Sequence, residues 1–315
     1  MTSIRTLAAA ALVGLAGLAG LGATGARAQT VTVNDTLVFP ESITSTKAGD
    51  IIFGSMGNGG VYRAKAGENT ATLWIPSSVS GITFMAGVYA DEPSNTLYAC
   101  SGAVGAPPEK AAQMSAVRTF DLKTGVAKAS YPMPYAAKSF CNDFAVDKAG
   151  NAYVTDTIGG AVHRLKKGAS ALDVWIKDDK LAGADGVAVG GDGSVYVNSV
   201  TAGKMFRVAV NKDGSAGAIT ELTPSMKLDK PDGMRAIGGM KFLQAEGGAG
   251  RIALITVSGD SATVTPIKEG VPGLTAMTVT RGKVWALNAK LAYRNPPLKG
   301  QDPGPFTAEA VDLPK

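Results

Sequence analysis

Histidine is nearly missing from this chain: His163 is the single one in 315 residues, and there are only two cysteines, Cys100 and Cys141. One histidine excludes a multi-histidine zinc site and a histidine facial triad. Two cysteines exclude a cysteine-based metal cluster. Aromatic residues are only 6% and charged residues 18%. No run of like charge, zipper pattern or basic patch implies a nucleic-acid or protein partner or an oligomer. What is plentiful is glycine, at 40 residues. Many glycines with modest charge imply many tight turns and a β-rich fold.

The first 28 residues read as an export signal. Arg5 supplies a positive charge, and Leu7–Leu21 is an unbroken run of Ala, Leu, Val and Gly. Ala26-Arg27-Ala28 then gives a small-x-small cleavage signature. The run has the length of a signal core and is short for a membrane span. A retained anchor is the alternative; no cysteine follows to carry a lipid. Residues 29–315 are then the folded domain, with no membrane span. Loss of Arg5 and Arg27 lowers the net charge from +5 to +3. Export places the domain in the periplasm or outside the cell, where Cys100 and Cys141 can pair.

The remaining chain repeats. Asn142–Asp156 reads as strand, Gly-containing turn and strand. Asp185–Asn198 and Glu41–Gly54 follow the same plan, with weaker copies from Ala86, Asp232 and Leu274. The six lead positions are 45, 56, 43, 47 and 42 residues apart. A period in the forties with several strands per unit is the signature of a β-propeller. Second hairpins follow at Ala161–Ile176, Val61–Ile75, Val117–Tyr131 and Met205–Leu222. The expected fold is an all-β, six-bladed propeller. Unit six supplies only Thr275–Thr280, Lys283–Leu287 and Phe306–Leu313, so Val31–Phe39 is expected to complete the last blade and close the ring. An open β-sandwich is the alternative, but it lacks this regular spacing.

In a propeller, the first strand of each blade lines the central channel. The lead residues Glu41, Ala86, Asn142, Asp185, Asp232 and Leu274 therefore converge at one mouth. Three carboxylates in one small space repel each other and raise their pKa values unless a cation joins them. Oxygen-only ligands select a hard divalent cation, Ca²⁺ first. Glu41, Asn142, Asp185 and Asp232 are the expected ligands. Read singly, each fits a turn as well as a metal site; the argument rests on their shared repeat position.

The lead motifs resemble the senescence marker protein/gluconolactonase family, with paraoxonases as more distant relatives. Phe39-Pro40-Glu41, Cys141-Asn142-Asp143-Phe144-Ala145-Val146-Asp147 and Pro231-Asp232-Gly233-Met234 carry the likeness. The resemblance implies a metal held by Glu41, Asp185 and Asp232, with Asn142 as a polar ligand or substrate contact. Two positions depart from the family pattern. Asp185 stands where asparagine is usual, which adds negative charge and makes the bound ion a poorer Lewis acid. Phe140 stands where the sugar-lactone enzymes carry arginine. A hydroxyl-rich aldonolactone loses its charged clamp there, and a more apolar lactone or ester is easier to accommodate.

Three further features belong to the same topology. The long blade-two connection Ser101–Ser115 lies at the same mouth and is a lid candidate or a decorative insertion. Cys100 and Cys141 fall at the tops of adjacent blades, where a disulfide is reasonable; a free thiol pair is the alternative. His163 is expected far from the axis, as a surface or packing residue, which makes a Ser-His-Asp mechanism hard to build. The leading expectation is a metal-dependent hydrolase of a small-molecule lactone or ester. Asp232, or second Asp185, is the base, and Asn142 and Phe140 meet the substrate. A non-catalytic binding propeller competes with it, and a lyase at the same metal is a third reading.

Overall fold

The computed structural model describes residues 29–102, 115–135 and 138–313. The expected export signal and all but the ends of the expected blade-two lid lie outside the described residues. The strands form six antiparallel blades of four, with one short extra strand at the edge of blade five. Their innermost strands are Pro40–Ser45, Met85–Asp91, Cys141–Val146, Ala184–Val189, Pro231–Gly238 and Leu274–Thr280. Each is followed outward by its second, third and fourth strand, most of them joined by Gly-containing turns.

Closure follows the expected route. Thr30–Val33 pairs antiparallel with Phe306–Asp312 and so becomes the outer strand of blade six. It also pairs in parallel with the outer strand of blade one at Thr70 and Ala71. This joins the two blades into one eight-stranded sheet and removes the free edges at the seam. The closing strand is shorter than Val31–Phe39, because residues from Asn34 onward turn in toward the channel.

The blades pack face to face through apolar side chains that alternate along each strand. Between blades two and three lie Tyr98, Phe144 and Val154; between six and one lie Phe53, Trp285 and Phe306. Burying each such side chain stabilises by roughly 1.5–3 kcal/mol. Cys100 and Cys141 form a disulfide across the blade-two and blade-three interface, with 5.2 Å between their Cα atoms.

One irregularity recurs in every blade. The first residue of each inner strand pairs with the second strand, and pairing resumes only three residues later. Two inner-strand residues thus face one on the neighbour, a β-bulge, which re-aims side chains. The first bulge residues are Glu41, Ala86, Asn142, Asp185, Asp232 and Thr275. In blade six the shared register falls on Thr275, not on Leu274 as the sequence reading had it. Leu274 is the paired residue before the bulge and is buried in the core between blades five and six.

Candidate functional site

The six bulges place their first side chains around the channel mouth. Ligand oxygens of Glu41, Asp185 and Asp232 lie within 4.8 Å of one another. Glu41 and Asp185 are buried, and Asp232 is partly exposed. Burial pushes all three acids above their ordinary range. Asp185 rises to about 7, by burial first and then by the Asp143 charge. Glu41 is raised well above its ordinary value by burial, then by Asp185 and Asp143, with the Arg235 charge opposing. Asp232 is raised well above its ordinary value by burial, then by Asp185 and Glu41.

The chemistry of this donor set fits a hard cation. Glu41 Oε2 and Asp185 Oδ1 are buried without a hydrogen-bond partner, although buried oxygens are ordinarily satisfied. Two oxygens bound to one Ca²⁺ at about 2.4 Å can be no more than about 4.8 Å apart, the limit that the three carboxylates meet. Glu41, Asp185 and Asp232 could therefore hold one ion. Asn142 reaches the same cluster: its amide donates to Asp185 Oδ2 at 2.9 Å and to the Thr157 hydroxyl at 3.0 Å.

Side-chain hydrogen bonds to the backbone, within and between blades, fix these strands. Thr155 donates to the Asp185 carbonyl at 2.5 Å, and Thr275 donates to the Glu41 carbonyl at 2.6 Å. Asn198 accepts from Gly186 N at 2.9 Å and donates to the Asp232 carbonyl at 2.7 Å. The second bulge residues face the next blade and are mostly small. A Cβ on Gly87 would sit 1.8 Å from the Asn142 carbonyl oxygen, and one on Gly186 would sit 2.4 Å from that of Asp232. These glycines let the channel strands approach closely.

Asp143 is the exception at that position. It is buried, and both its oxygens accept from Arg235 Nη1, at 2.9 and 2.7 Å. Arg235 is also buried and lies 5.7 Å from the Tyr89 ring. The bulge makes Arg235, three residues after Asp232, the next channel-facing position. The sequence reading placed Asp143 in a motif but gave Arg235 no role, because a three-residue step does not match regular strand alternation.

The residues just above the mouth form a second ring: Phe39, Phe84, Phe140, Gly183, Lys230 and Gly273. Each lies two residues before the first bulge residue of its blade. Phe39, Gly183, Lys230 and Gly273 share positive φ values of 42, 75, 50 and 61°. For the two non-glycine residues this backbone is strained. Phe84 and Phe140 meet edge to face at 5.9 Å. Phe140 thus belongs to an apolar wall, and its amide is anchored by Asp156 Oδ1 at 2.8 Å.

His163 stands apart from this mouth. It is fully buried within blade three, with Nε2 3.0 Å from Asp156 Oδ2, so it is a packing residue and not a surface one. Burial would raise Asp156, but hydrogen bonds from His163, Phe140 and Gly159 outweigh it and leave the acid below its ordinary value.

No family model matches the chain, and no curated protein matches it at a significant level. Solved structures share the fold. A gluconolactonase from Xanthomonas campestris aligns with a TM-score of 0.64 over 90% of this chain and 90% of its own, at 16% identity. Virginiamycin B lyase from Staphylococcus aureus aligns with a TM-score of 0.58 over 91% of this chain and 99% of its own, at 13% identity. A chain of a nidogen–laminin complex aligns with a TM-score of 0.55 over 73% of this chain and 82% of its own, at 14% identity. The chain is an all-β propeller, similar in fold to gluconolactonase structures. Among the described residues, no helix is long and apolar enough to cross a membrane.

Proposed function

We propose that the protein is a hydrolase of a lactone or ester that depends on a hard divalent cation, Ca²⁺ first. The observation that carries this reading is the convergence of Glu41, Asp185 and Asp232, with two orphaned oxygens between them. When bound there, such an ion supplies positive charge that polarises a carbonyl and stabilises a developing oxyanion. The chain's own residues do the rest. Asn142 holds Asp185 in place by its amide. Asp232 is the cluster member open to the channel mouth, which places its carboxylate to accept a proton from a water. Phe84 and Phe140 offer the substrate an apolar wall and exclude water from one side. The disulfide supports an oxidising compartment, the periplasm or the exterior.

A lyase is the weaker reading at this site. A histidine-to-alanine variant of the staphylococcal lyase is described as catalytically inactive. Here the single histidine is buried off the axis. A non-catalytic binding propeller is the stronger alternative, because Phe140 offers a substrate no charge and Asp185 makes a bound ion a weaker Lewis acid. The test is a pH-stat assay of the purified protein on a lactone and ester panel with Ca²⁺, beside Asp232→Ala. Turnover that Asp232→Ala abolishes supports the hydrolase. Turnover unchanged by the substitution rejects the role of Asp232, and silence across the panel favours binding alone.

A further inference from the structure

Residues 289–305 form a long connection in blade six that rises over the same mouth, beginning with a 3-10 turn at Leu291–Arg294. Its Arg294 reaches across two blades. The guanidinium carbon lies 5.4 Å from the Phe39 ring and 5.6 Å from the Phe84 ring. Those rings belong to the residues just above Glu41 and Ala86. Stacking on ring faces leaves the planar N–H edge of a guanidinium open. Among the described residues no carboxylate pairs with Arg294, and no carbonyl accepts from it. Burial holds its pKa below the ordinary arginine value, with no neighbouring charge to offset it.

The surrounding space has room for a ligand. A cavity of about 600 Å³ is lined by Thr36, Leu37, Phe39, Tyr293, Arg294 and Lys299, with Asp302 as its one acid. A larger groove of about 730 Å³ lies at the opposite end of the channel, far from the carboxylate cluster. This cavity therefore combines an unpaired planar cation, a second cation at Lys299 and the rings of Phe39 and Tyr293.

We infer that Arg294 is a specificity residue that binds a carboxylate carried by the ligand, remote from the reacting carbonyl. The planar fork pairs with the carboxylate, and the ligand's apolar body lies along Phe84 and Phe140. The ligand's opposite end then points toward Glu41, Asp185 and Asp232. The preferred substrate is an anionic, otherwise apolar lactone or ester. For the reaction, this rests on the hydrolase reading; for binding, it stands alone.

The test is calorimetric binding of 4-phenylbutyrate and its neutral partner 4-phenylbutanol, with chelator present so that no ion can hold the carboxylate. The wild-type chain is expected to bind the acid at least tenfold more tightly than the alcohol. Arg294→Gln should erase that preference, and Arg294→Lys should keep part of it. Thermal melts confirm that each variant is folded. No preference in the wild-type chain, or an equal preference in Arg294→Gln, overturns the assignment. Loss of lactone turnover alone would sink the hydrolase reading and leave this binding result intact.

Discussion

Arg235 from blade five reaches Asp143 on blade three, with Nη1 2.7 and 2.9 Å from the two carboxylate oxygens. This pair bridges the channel one layer below the carboxylate cluster. Four carboxylates, Glu41, Asp143, Asp185 and Asp232, then share a buried region with one guanidinium. The Arg235 charge opposes the rise in Glu41's pKa, but one cation against four acids leaves an electrostatic deficit. A divalent ion bound at the mouth would offset most of it.

Removing one partner of this pair strands a buried charge. Arg235→Met should destabilise the chain by about 3–5 kcal/mol, read from urea denaturation. Adding Asp143→Asn to that variant should restore part of the loss. A double variant no more stable than Arg235→Met would show that the arginine acts through packing rather than charge.

The carboxylate cluster sets a pH dependence with a definite sign. Its acids keep protons in the folded chain that they lose in the unfolded one. In chelator, the cluster's contribution to stability should therefore be fully present near and below pH 4, the ordinary carboxylate range. It should fall as pH rises toward about 7, where Asp185 titrates in the folded chain. Added Ca²⁺ should flatten or reverse that fall. A urea midpoint in chelator that stays constant across this window would show that the three acids are not mutually strained.

Gly87 packs its bare Cα against blade three. A Cβ there would sit 1.8 Å from the Asn142 carbonyl. Gly87→Ala should destabilise by about 1–3 kcal/mol and shift Asn142 away from Asp185. Weakened Ca²⁺ affinity alongside the loss of stability is the expected pair of results. Unchanged stability would mean that the blades can separate there at little cost.

The Cys100–Cys141 bond closes a loop across two blades with a sequence separation of 41. Loop-closure entropy gives such a bond about 4 kcal/mol. Replacing both cysteines by serine should lower stability by up to that amount, and reductant should do the same to the wild-type chain. A denaturation midpoint indifferent to reductant would contradict this.

The ring was legible in the sequence because each blade repeats a strand, a Gly turn and a second strand, as in Asn142–Asp156 and Asp185–Asn198. Closure was legible because unit six lacked one strand. The acids were legible because Glu41, Asp185 and Asp232 share one repeat position. Blade six was misread by one residue: Leu274-Thr275-Ala276 holds no acid to mark the bulge, and its apolar start looks like the lead. Arg235 was hidden because the bulge, not the regular pleat, turns it into the channel. Arg294 was hidden for a different reason. It sits on a connection that no other blade repeats, so neither period nor motif pointed to it.

The central claim is that Glu41, Asp185 and Asp232 hold one cation together. Calorimetric titration of chelator-stripped protein with Ca²⁺ tests it most directly. The account predicts one ion per chain, with affinity reduced more than about tenfold in both Glu41→Gln and Asp232→Asn. A wild-type chain that binds no Ca²⁺, or variants that bind it as tightly as the wild-type chain, would contradict it.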